Sequence, residues 1–486
     1  MLEQLQPKEV FHWFEALSAI PRGSGNTAAI SGWCLSQAKA MGLSSRQDEV
    51  GNVYIYKPAS DGYEEVAPVL LQGHMDMVCA SAPGCGKDMT AEGLDLRTDG
   101  KLVWAEGTTL GADDGIAMAM LLALLADKTA AHPPLEVLFT VDEETGMDGA
   151  LNIHPEWIQA RRMINLDAEC EGVLWAGCAG GNTAVIQLPV TIARHTGELV
   201  HMEIGGLTGG HAGIDIDKNR ANAIHLLGRA LQMLGKTGAL HLIQAESPGP
   251  VNAIASKSSA KIVMDCDPET IQKEVAHIEE IFRREYRITE PGLFVTAAVQ
   301  GRRSEYPTMD KGSTDRAVCL LACAPNGVQA MSADIPNLPQ TSLNFGQLQV
   351  NGGVLEGKFC NRSNVSSQLE MLNDNLTAIA SLLGGHISFS AGHAAWEYAS
   401  ESALRQRLEH VYRRMTGRAP RVAITHGGAE CGVLLEKIPD MDCVAIGPDI
   451  HDVHTPKETL DVNSTANTWE FLLETLRDMQ HSSEIN

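Results

Sequence analysis

The sequence predicts an α/β protein in which short apolar strands alternate with helices and form a largely parallel sheet. Apolar, strand-like runs occur at residues 69–72, 135–141, 163–166 and 443–446, and a strongly apolar helical run at 115–126 separates the first two. Helices cover both faces of a parallel sheet, so its strands are apolar along their whole length rather than alternating. We therefore expect these four strands to share one mostly parallel sheet between helices.

The remaining patterns divide the chain into three parts. Helical periodicity predicts helices at 7–20 and 27–41, and alternation predicts a strand at 52–57. The middle of the chain is richer in strands, which indicates an α+β domain inserted into the first; its predicted strands are 183–191, 199–204, 261–264, 293–299 and 357–359, and its predicted helices 220–234 and 366–383. We place the main domain at 1–182 and 395–486, and the inserted domain at 183–394.

Composition and charge exclude several classes of protein. With 486 residues, 44% of them hydrophobic and 20% charged, the chain is typical of a globular protein of more than one domain. The formal net charge of -24 argues against nucleic acid or an anionic membrane surface as the main partner. The 11 cysteines include no CxxC pair, which argues against a zinc ribbon and favours a reducing compartment.

No targeting or membrane segment is recognisable in the sequence. The N-terminal MLEQLQPKEV lacks the basic and apolar regions of a signal peptide. The longest apolar run, residues 116–126, is far shorter than the ~20 residues that span a bilayer. We therefore expect a cytoplasmic protein.

Four of the predicted strands run directly into ligand-type residues. The segments are VLLQGHMD, LEVLFTVDEE, MINLD and CVAIGPDIHDVH, and they carry His74, Asp76, Glu143, Glu144, Asp167 and His454. Ligands bind beyond the carboxyl ends of the strands in open α/β sheets, so parallel neighbours would bring these side chains together. A fifth segment, GTTLGADDG, places Asp113 and Asp114 just before the helix at 115–126, where free N–H groups favour carboxylates.

Each of these segments has an ordinary explanation when it is taken alone. Tandem acids are usually exposed turn residues, and a single histidine is more often a surface or core residue than a ligand. Together, however, they would place many charges at buried strand ends, at a cost of several kcal/mol unless cations compensate them. The conjunction therefore favours a metal centre.

The residue types indicate two metal ions and separate roles for the acids. Imidazole and carboxylate ligands without cysteine suit zinc, manganese or cobalt. Two adjacent ions need a bridging carboxylate, an acid for proton transfer and an acid that orients a ligating imidazole. The spacing lets Asp76 fold back towards His74. Glu143 and Glu144 would point in different directions in an extended segment, so one should bind metal and the other should face the substrate.

The motifs LQGHMDMV, GTTLGADDGIAMAM, PLEVLFTVDEETGMDGA, INLDAE, CAGG and VHTPKETL resemble the co-catalytic zinc metallopeptidases, the family that includes aminoacylase, carboxypeptidase G and cytosolic dipeptidases. The resemblance extends over essentially the whole chain. It implies a catalytic domain interrupted by a smaller lid domain, a homodimer, and two Zn²⁺ per subunit that Co²⁺ or Mn²⁺ could replace.

The resemblance also implies a role for each acid and imidazole. His74, Asp113 and Asp167 would hold one zinc, and Asp113, Glu144 and His454 the other, with His451 as the alternative to His454. Glu143 would be the general acid/base and Asp76 the orienting acid. A cis peptide bond would join Asp113 to Asp114.

Four residues of the inserted part and its flank match substrate-binding positions of the family. They are His211 in GGLTGGHAGIDI, Asn252 in PVNAIA, Arg362 in FCNRSN and His426 in THGGAECG, with Glu430 of the last motif as a further contact. His211 would stabilise an oxyanion, and Asn252 and Arg362 would hold a carboxylate. Relatives outside the dipeptidase branch often carry an arginine where this chain has Asp265, which makes the role of Arg362 a separate hypothesis.

The expected function is hydrolysis of small peptides, namely dipeptides with a free N-terminus, including Xaa-His. An N-acyl amino acid deacylase or a carboxypeptidase with the same metal centre is the alternative. A non-catalytic binding protein is disfavoured because both Asp76 and Glu143 are present.

Overall fold

The elements of the chain follow its apolar patterns closely. The structure, a computed structural model, describes residues 2–390 and 392–480. The first part contains β1 Ser44–Gln47, β2 Val53–Lys57, β3 Val69–His74, β4 Leu96–Thr98, β5 Leu102–Ala105, β6 Leu135–Thr140, β7 Arg162–Asn165 and β8 Val173–Cys178, with helices α1 Lys8–Ser18, α2 Ala28–Ala40, α3 Ala112–Ala126 and α4 Asp148–Leu151.

The middle and the last part complete the order of elements. The middle contains β9 Gly180–Pro189, β10 Ile192–Gly205, β11 Ala239–Glu246, β12 Ser258–Asp265, β13 Phe294–Val299, β14 Ser304–Met309, β15 Gly327–Met331, β16 Pro339–Asn351, β17 Val354–Ser363 and β18 His386–Phe389, with α5 Ala223–Leu234, α6 Pro268–Glu285, α7 Lys311–Cys323 and α8 Ser366–Leu382. The last part contains α9 Ala403–Thr416, β19 Arg421–Thr425, α10 Glu430–Lys437, β20 Asp442–Ala445, β21 Ile450–His451, β22 Thr459–Asp461 and α11 Val462–Asp478.

These elements form two units. The described residues of Met1–Gly177, Tyr398–Ile424 and Ala429–Asn486 make up the first unit, and those of Cys178–Glu397 and Thr425–Gly428 the second. No helix among the described residues combines the length and the apolar composition needed to cross a membrane.

The main sheet of the first unit has eight strands in the order β1-β2-β6-β3-β7-β20-β8-β19. Strands β6, β3, β7 and β20 pair in parallel, whereas β2 joins β6 and β8 joins β20 antiparallel. The α/β class is therefore confirmed, and the sheet is parallel at its centre. The four predicted strands that run into ligand-type residues are the four parallel neighbours.

Burial explains why the central strands lack an alternating pattern. Every residue of β3 and of β6 is buried, so both faces of these strands are covered. Helix α3 is buried from Ala112 to Leu125 and packs against β3 and α1. It begins three residues before the predicted start, and its first turn includes Asp113 and Asp114, whose backbone is not helical.

The described residues of the second unit form two antiparallel sheets and four helices. One sheet has the order β11-β12-β10-β13, with β14 pairing β10, and the other β15-β16-β17-β9-β18. Helices α5 and α7 pack against each other, and α8 packs against β9 and β17. Side-chain caps at Asn222 and Asp310 accept backbone N–H groups at the starts of α5 and α7.

A layer of buried polar side chains joins three of the parallel strands to α10. The Nε2 of Gln72 donates to Oε2 of Glu430 at 2.7 Å, and Oγ1 of Thr140 donates to the same oxygen at 2.7 Å. The amide of Asn165 donates to Oε1 of Gln72 at 2.6 Å. None of the four residues is more than 2% exposed. Buried polar groups are tolerated when they are hydrogen-bonded, so this layer fixes how β3, β6 and β7 lie beside one another.

Replacing Gln72 by leucine should lower the free energy of unfolding by about 1–3 kcal/mol, since it leaves Asn165 and Glu430 with unsatisfied polar groups in the core. Urea unfolding followed by circular dichroism measures this. The control is Gln406→Leu on α9, where Gln406 is exposed and should tolerate the change within about 0.5 kcal/mol. Equal losses in the two variants would contradict the role of the layer.

Candidate metal centre

The carboxyl ends of the parallel strands bring the predicted ligands into contact. His74 is the last residue of β3, Asp167 lies two residues after β7, and Glu144 lies four residues after β6. His454 follows β21, and Asp113 comes from the start of α3. Two groups of these side chains hold their ligand atoms within 4.8 Å of one another: His74 with Asp113 and Glu144, and His74 with Asp114 and Asp167.

The carboxylate of Asp113 lies between two imidazoles. Its Oδ1 is 3.1 Å from Nε2 of His74, and its Oδ2 is 3.1 Å from Nε2 of His454. A further carboxylate approaches each ring: Oδ1 of Asp167 is 3.6 Å from Nε2 of His74, and Oε1 of Glu144 is 3.0 Å from Nε2 of His454. The arrangement is symmetrical about Asp113, as expected for a ligand shared by two cations.

Asp76 is fully buried and links the end of β3 to the turn after β6. Its Oδ1 lies 3.4 Å from Nδ1 of His74 and accepts the backbone N–H of Glu143 at 3.0 Å. Its Oδ2 accepts the hydroxyl of Ser24 at 2.8 Å and the N–H of Glu144 at 3.3 Å. Burial raises the pKa of Asp76, but the hydrogen bond and charge of His74 and the bonds from Ser24 and Glu143 prevail and lower it to about 2. An ionised Asp76 can therefore hold the His74 ring in place.

Glu143 and Glu144 lie in a turn, not in an extended segment. Asp142 has a φ of 55°, and the turn runs from Glu143 to Gly146. The premise that alternation along a strand separates the two side chains was therefore wrong. The Glu144 carboxylate contacts His454, whereas the Glu143 carboxylate forms no hydrogen bond or ion pair with another described residue. Burial, together with the charges of Asp167, Glu430 and Glu144, raises the pKa of Glu143 well above its ordinary value.

Asp114 is a further residue of the site, and the sequence alone predicts no role for it. It is buried, and its Oδ2 accepts the backbone N–H of His74 at 3.0 Å. A cis peptide bond joins it to Asp113. Because this oxygen is already occupied by a backbone donor, Asp113 is the better candidate for a shared ligand, although Asp114 also lies near Asp167. The tandem acids of GTTLGADDG were the available signal.

The site concentrates negative charge among side chains that are mostly buried, although the His454 side chain is 48% exposed. Burial, reinforced by the charges of Asp113 and Glu169, raises the pKa of Asp167 to about 7. Hydrogen bonds to Asp113 and Glu144 raise the pKa of His454 to about 11. Two imidazoles and several carboxylates at these distances form a donor set that suits divalent cations of the zinc, manganese or cobalt type. The residues present therefore fit a metal cofactor.

In the second unit, backbone donors fix the tautomer of His211. Its Nδ1 accepts the N–H groups of Gly213 at 3.2 Å and Ile214 at 3.1 Å. Burial and the neighbouring charge of Arg362 lower the pKa of His211, so the ring is neutral near pH 7. A neutral imidazole that accepts at Nδ1 carries its proton on Nε2, which leaves Nε2–H as a donor.

Arg362 is a half-buried cation beside His211 in the second unit. Its Nη1 donates to the backbone oxygen of His426 at 3.4 Å, and its buried Nε has no hydrogen-bond partner among the described residues. No carboxylate in the described part of the chain forms an ion pair with it. The guanidinium therefore retains donors that can bind an anion.

The His426 side chain has partners for both ring nitrogens. Nε2 lies 2.7 Å from Oγ of Ser342, and Nδ1 lies 3.1 Å from Oδ1 of Asn364. Burial, and then the charge of Arg362, lower the pKa of His426 to about 4. With both nitrogens engaged, the neutral His426 ring holds its own residue in place, including the backbone oxygen that Arg362 contacts.

The other predicted contacts have different surroundings. Asn252 is exposed, and its backbone oxygen accepts the N–H of Ala212, next to His211, at 2.8 Å. The suggestion that Glu430 contacts substrate was wrong, since Glu430 has no exposed surface and belongs to the buried polar layer. His454, rather than the alternative His451, contacts Asp113 and Glu144.

Comparisons with known proteins identify the family of the chain. Residues 70–478 match the family described as "Peptidase family M20/M25/M40". The chain is 33% identical over 481 residues to the cytosol non-specific dipeptidase of Escherichia coli (strain K12), covering 98% of this chain and 99% of the relative.

Solved structures show the same similarity in three dimensions. The aminoacylhistidine dipeptidase from Vibrio alginolyticus is 30% identical and superposes with a TM-score of 0.89, covering 98% of this chain and 97% of that one. The aminopeptidase PepT from Bacillus cereus, at 14% identity, shares the fold with a TM-score of 0.55, covering 98% of this chain and all of that one. The chain therefore belongs to the peptidase family M20/M25/M40.

Proposed function

We propose that this protein is a two-zinc dipeptidase that hydrolyses dipeptides with a free N-terminus, including Xaa-His. The observation that carries the proposal is the carboxylate of Asp113, which lies 3.1 Å from the imidazoles of both His74 and His454. The dipeptidases to which the chain is similar over nearly its full length support the substrate class.

The ligand sets follow from the contacts around Asp113. His74, Asp113 and Asp167 would hold one zinc, and Asp113, Glu144 and His454 the other. Bound zinc ions supply an activated water and polarise the peptide carbonyl. Co²⁺ and Mn²⁺ accept the same donors and are expected to substitute.

Two acids of the first unit have separate roles: one transfers a proton, and the other orients a metal-binding imidazole. Glu143 is the general acid/base, because its carboxylate lies beside the ligands without a partner among the described residues and its raised pKa suits proton transfer. Asp76 orients the His74 ring and, through the N–H groups of Glu143 and Glu144, the turn that carries both glutamates.

Residues of the second unit supply substrate recognition in this proposal. The Nε2–H of His211 donates to the oxyanion that forms on the substrate carbonyl. The guanidinium of Arg362 and the side chain of Asn252 bind the C-terminal carboxylate of the dipeptide, and His426 fixes the backbone oxygen that Arg362 contacts. In this proposal Arg362 supplies the carboxylate site that recognition of a dipeptide requires.

A cytosolic location and a homodimer complete the proposal. The E. coli relative is named a cytosol non-specific dipeptidase, and no disulfide bond forms among the described cysteines of this chain. The homodimer rests on the resemblance to the family, and light scattering during size-exclusion chromatography tests it.

Purified protein should contain about two zinc ions per chain and hydrolyse Xaa-His and other dipeptides, and chelation should abolish turnover until Zn²⁺, Co²⁺ or Mn²⁺ is restored. Metal analysis and a panel of dipeptides, N-acetyl amino acids and longer peptides measure this. Faster turnover of N-acetyl amino acids than of dipeptides would identify a deacylase instead, and cleavage of longer peptides at their C-terminus a carboxypeptidase. Full activity of the metal-free protein would exclude the proposal.

Glu143→Gln should keep both metal ions but lower kcat by about 10²- to 10⁴-fold, since the amide cannot transfer the proton. Metal analysis and steady-state kinetics on one dipeptide separate the two effects. The matched control is Glu64→Gln at an exposed position of the same unit, which should leave both quantities unchanged. A Glu143→Gln variant with normal kcat would end the assignment of Glu143 as the base.

Arg362→Gln should lower kcat/KM for a dipeptide by about 10- to 100-fold, mainly through KM, because a charged hydrogen bond to the substrate carboxylate is lost. The same dipeptide with a C-terminal amide should be affected far less, since it has no carboxylate to bind. The control is Arg287→Gln at an exposed position of the second unit. Equal losses of kcat/KM on the dipeptide and on its C-terminal amide would show that Arg362 does not bind the substrate carboxylate.

A further inference from the structure

Glu458 is a buried carboxylate that accepts hydrogen bonds from four consecutive backbone N–H groups. Its Oε2 accepts those of Leu110 at 2.8 Å and Gly111 at 2.9 Å, and its Oε1 accepts those of Ala112 at 2.8 Å and Asp113 at 3.4 Å. It is 2% exposed and lies four residues after His454. One side chain therefore joins the His454 segment to the segment that carries Asp113.

Arg22 holds the carbonyl groups of the same region. It is 1% exposed, its Nη1 donates to the oxygens of Met75 at 3.0 Å and Asp76 at 3.1 Å, and its Nη2 donates to the oxygen of Gly111. The Met75–Asp76 segment directly follows His74. Arg22 therefore joins the end of β3 to the segment that Glu458 holds.

Two glycines of the GTTLGADDG motif make room for this guanidinium. A Cβ atom on Gly111 would lie 2.6 Å from Nη2 of Arg22, and one on Gly115 would lie 3.1 Å from its Cζ. Gly111 also has a φ of 61°, which disfavours other residues. Both positions therefore need glycine, because a larger side chain would collide with the guanidinium of Arg22.

We propose that Arg22 and Glu458 form a backbone clamp that positions Asp113 between His74 and His454, and thereby sets the affinity of the metal centre. Both are positioning residues, since they contact backbone groups of the ligand-bearing segments rather than the ligand side chains. This inference rests on the proposed metal centre, and it adds two residues to which no role in the site has been assigned.

The opposite charges of the clamp suit the groups that they bind. The N–H groups at the start of α3 carry partial positive charge and favour a carboxylate, whereas the carbonyl oxygens favour a guanidinium with its several donors. Burial lowers the pKa of Arg22, and the charge of Glu458 opposes this more than that of any other acid. The charge of Glu458 thus partly compensates the buried guanidinium, and both side chains act on residues 110–113.

The test compares Glu458→Gln with Glu136→Gln in otherwise intact protein. Glu136 is the matched control: it is 1% exposed and accepts the N–H groups of Gln159 and Ala160 at 3.0–3.2 Å, but it lies near the start of β6. The zinc affinity of each metal-free protein is measured by competition with a chelator, and its thermal unfolding midpoint is recorded alongside.

Glu458→Gln should weaken zinc binding by about 10- to 100-fold, the range found when residues that orient metal ligands are replaced. Glu136→Gln should leave zinc affinity unchanged, even where it lowers the unfolding midpoint. If Glu458→Gln does not fold, Arg22→Lys takes its place, since it keeps the charge but cannot reach three carbonyl oxygens at once.

Unchanged zinc affinity in Glu458→Gln would contradict the proposed clamp. The same holds for Arg22→Lys where that variant replaces it. An equal loss of zinc affinity in Glu136→Gln would also contradict the proposal. Failure of the wild-type protein to bind zinc is a different result, because it would refute the proposed metal centre itself.

Discussion

The carboxylate of Asp113 has to meet two imidazoles that are far away in sequence, and this requirement organises much of the first unit. His74 and His454 lie 39 and 341 residues from Asp113, yet both rings come within 3.1 Å of it. So many charged groups, most of them buried, are stable together only if cations or hydrogen bonds compensate them. The surrounding fold supplies rigid positions and many such hydrogen bonds.

The parallel sheet supplies the first level of this rigidity. Because β6, β3, β7 and β20 are parallel neighbours, their carboxyl ends lie at one edge, where His74, Glu144 and Asp167 are found. The layer of Gln72, Thr140, Asn165 and Glu430 fixes the strands just before the ligands begin. The fixed positions of the strands therefore also fix the residues that follow them at the site.

Much of this arrangement could be predicted from the sequence, because buried parallel strands are apolar runs and their polar endings are easy to see. This pattern predicts strands at 69–72, 135–141, 163–166 and 443–446, and the α/β class is confirmed. Helices α6 and α11 were not predicted, although Asp267 and Asp461 cap their starts with side-chain hydrogen bonds. The contacts of Asp114 and Glu430 could not be predicted, since they depend on distant partners that leave no local pattern.

Arg22 shows most clearly why sequence patterns alone give an incomplete account of the site. An arginine in IPRGSG is normally a surface residue, because burial of a guanidinium is costly. Here three backbone carbonyl groups and the charge of Glu458 offset that cost, and glycines at 111 and 115 leave the space. A glycine-rich motif before a helix also suggests a phosphate-binding loop. In this protein the N–H groups of residues 110–113 are occupied by Glu458, so the motif instead positions the segment that carries Asp113.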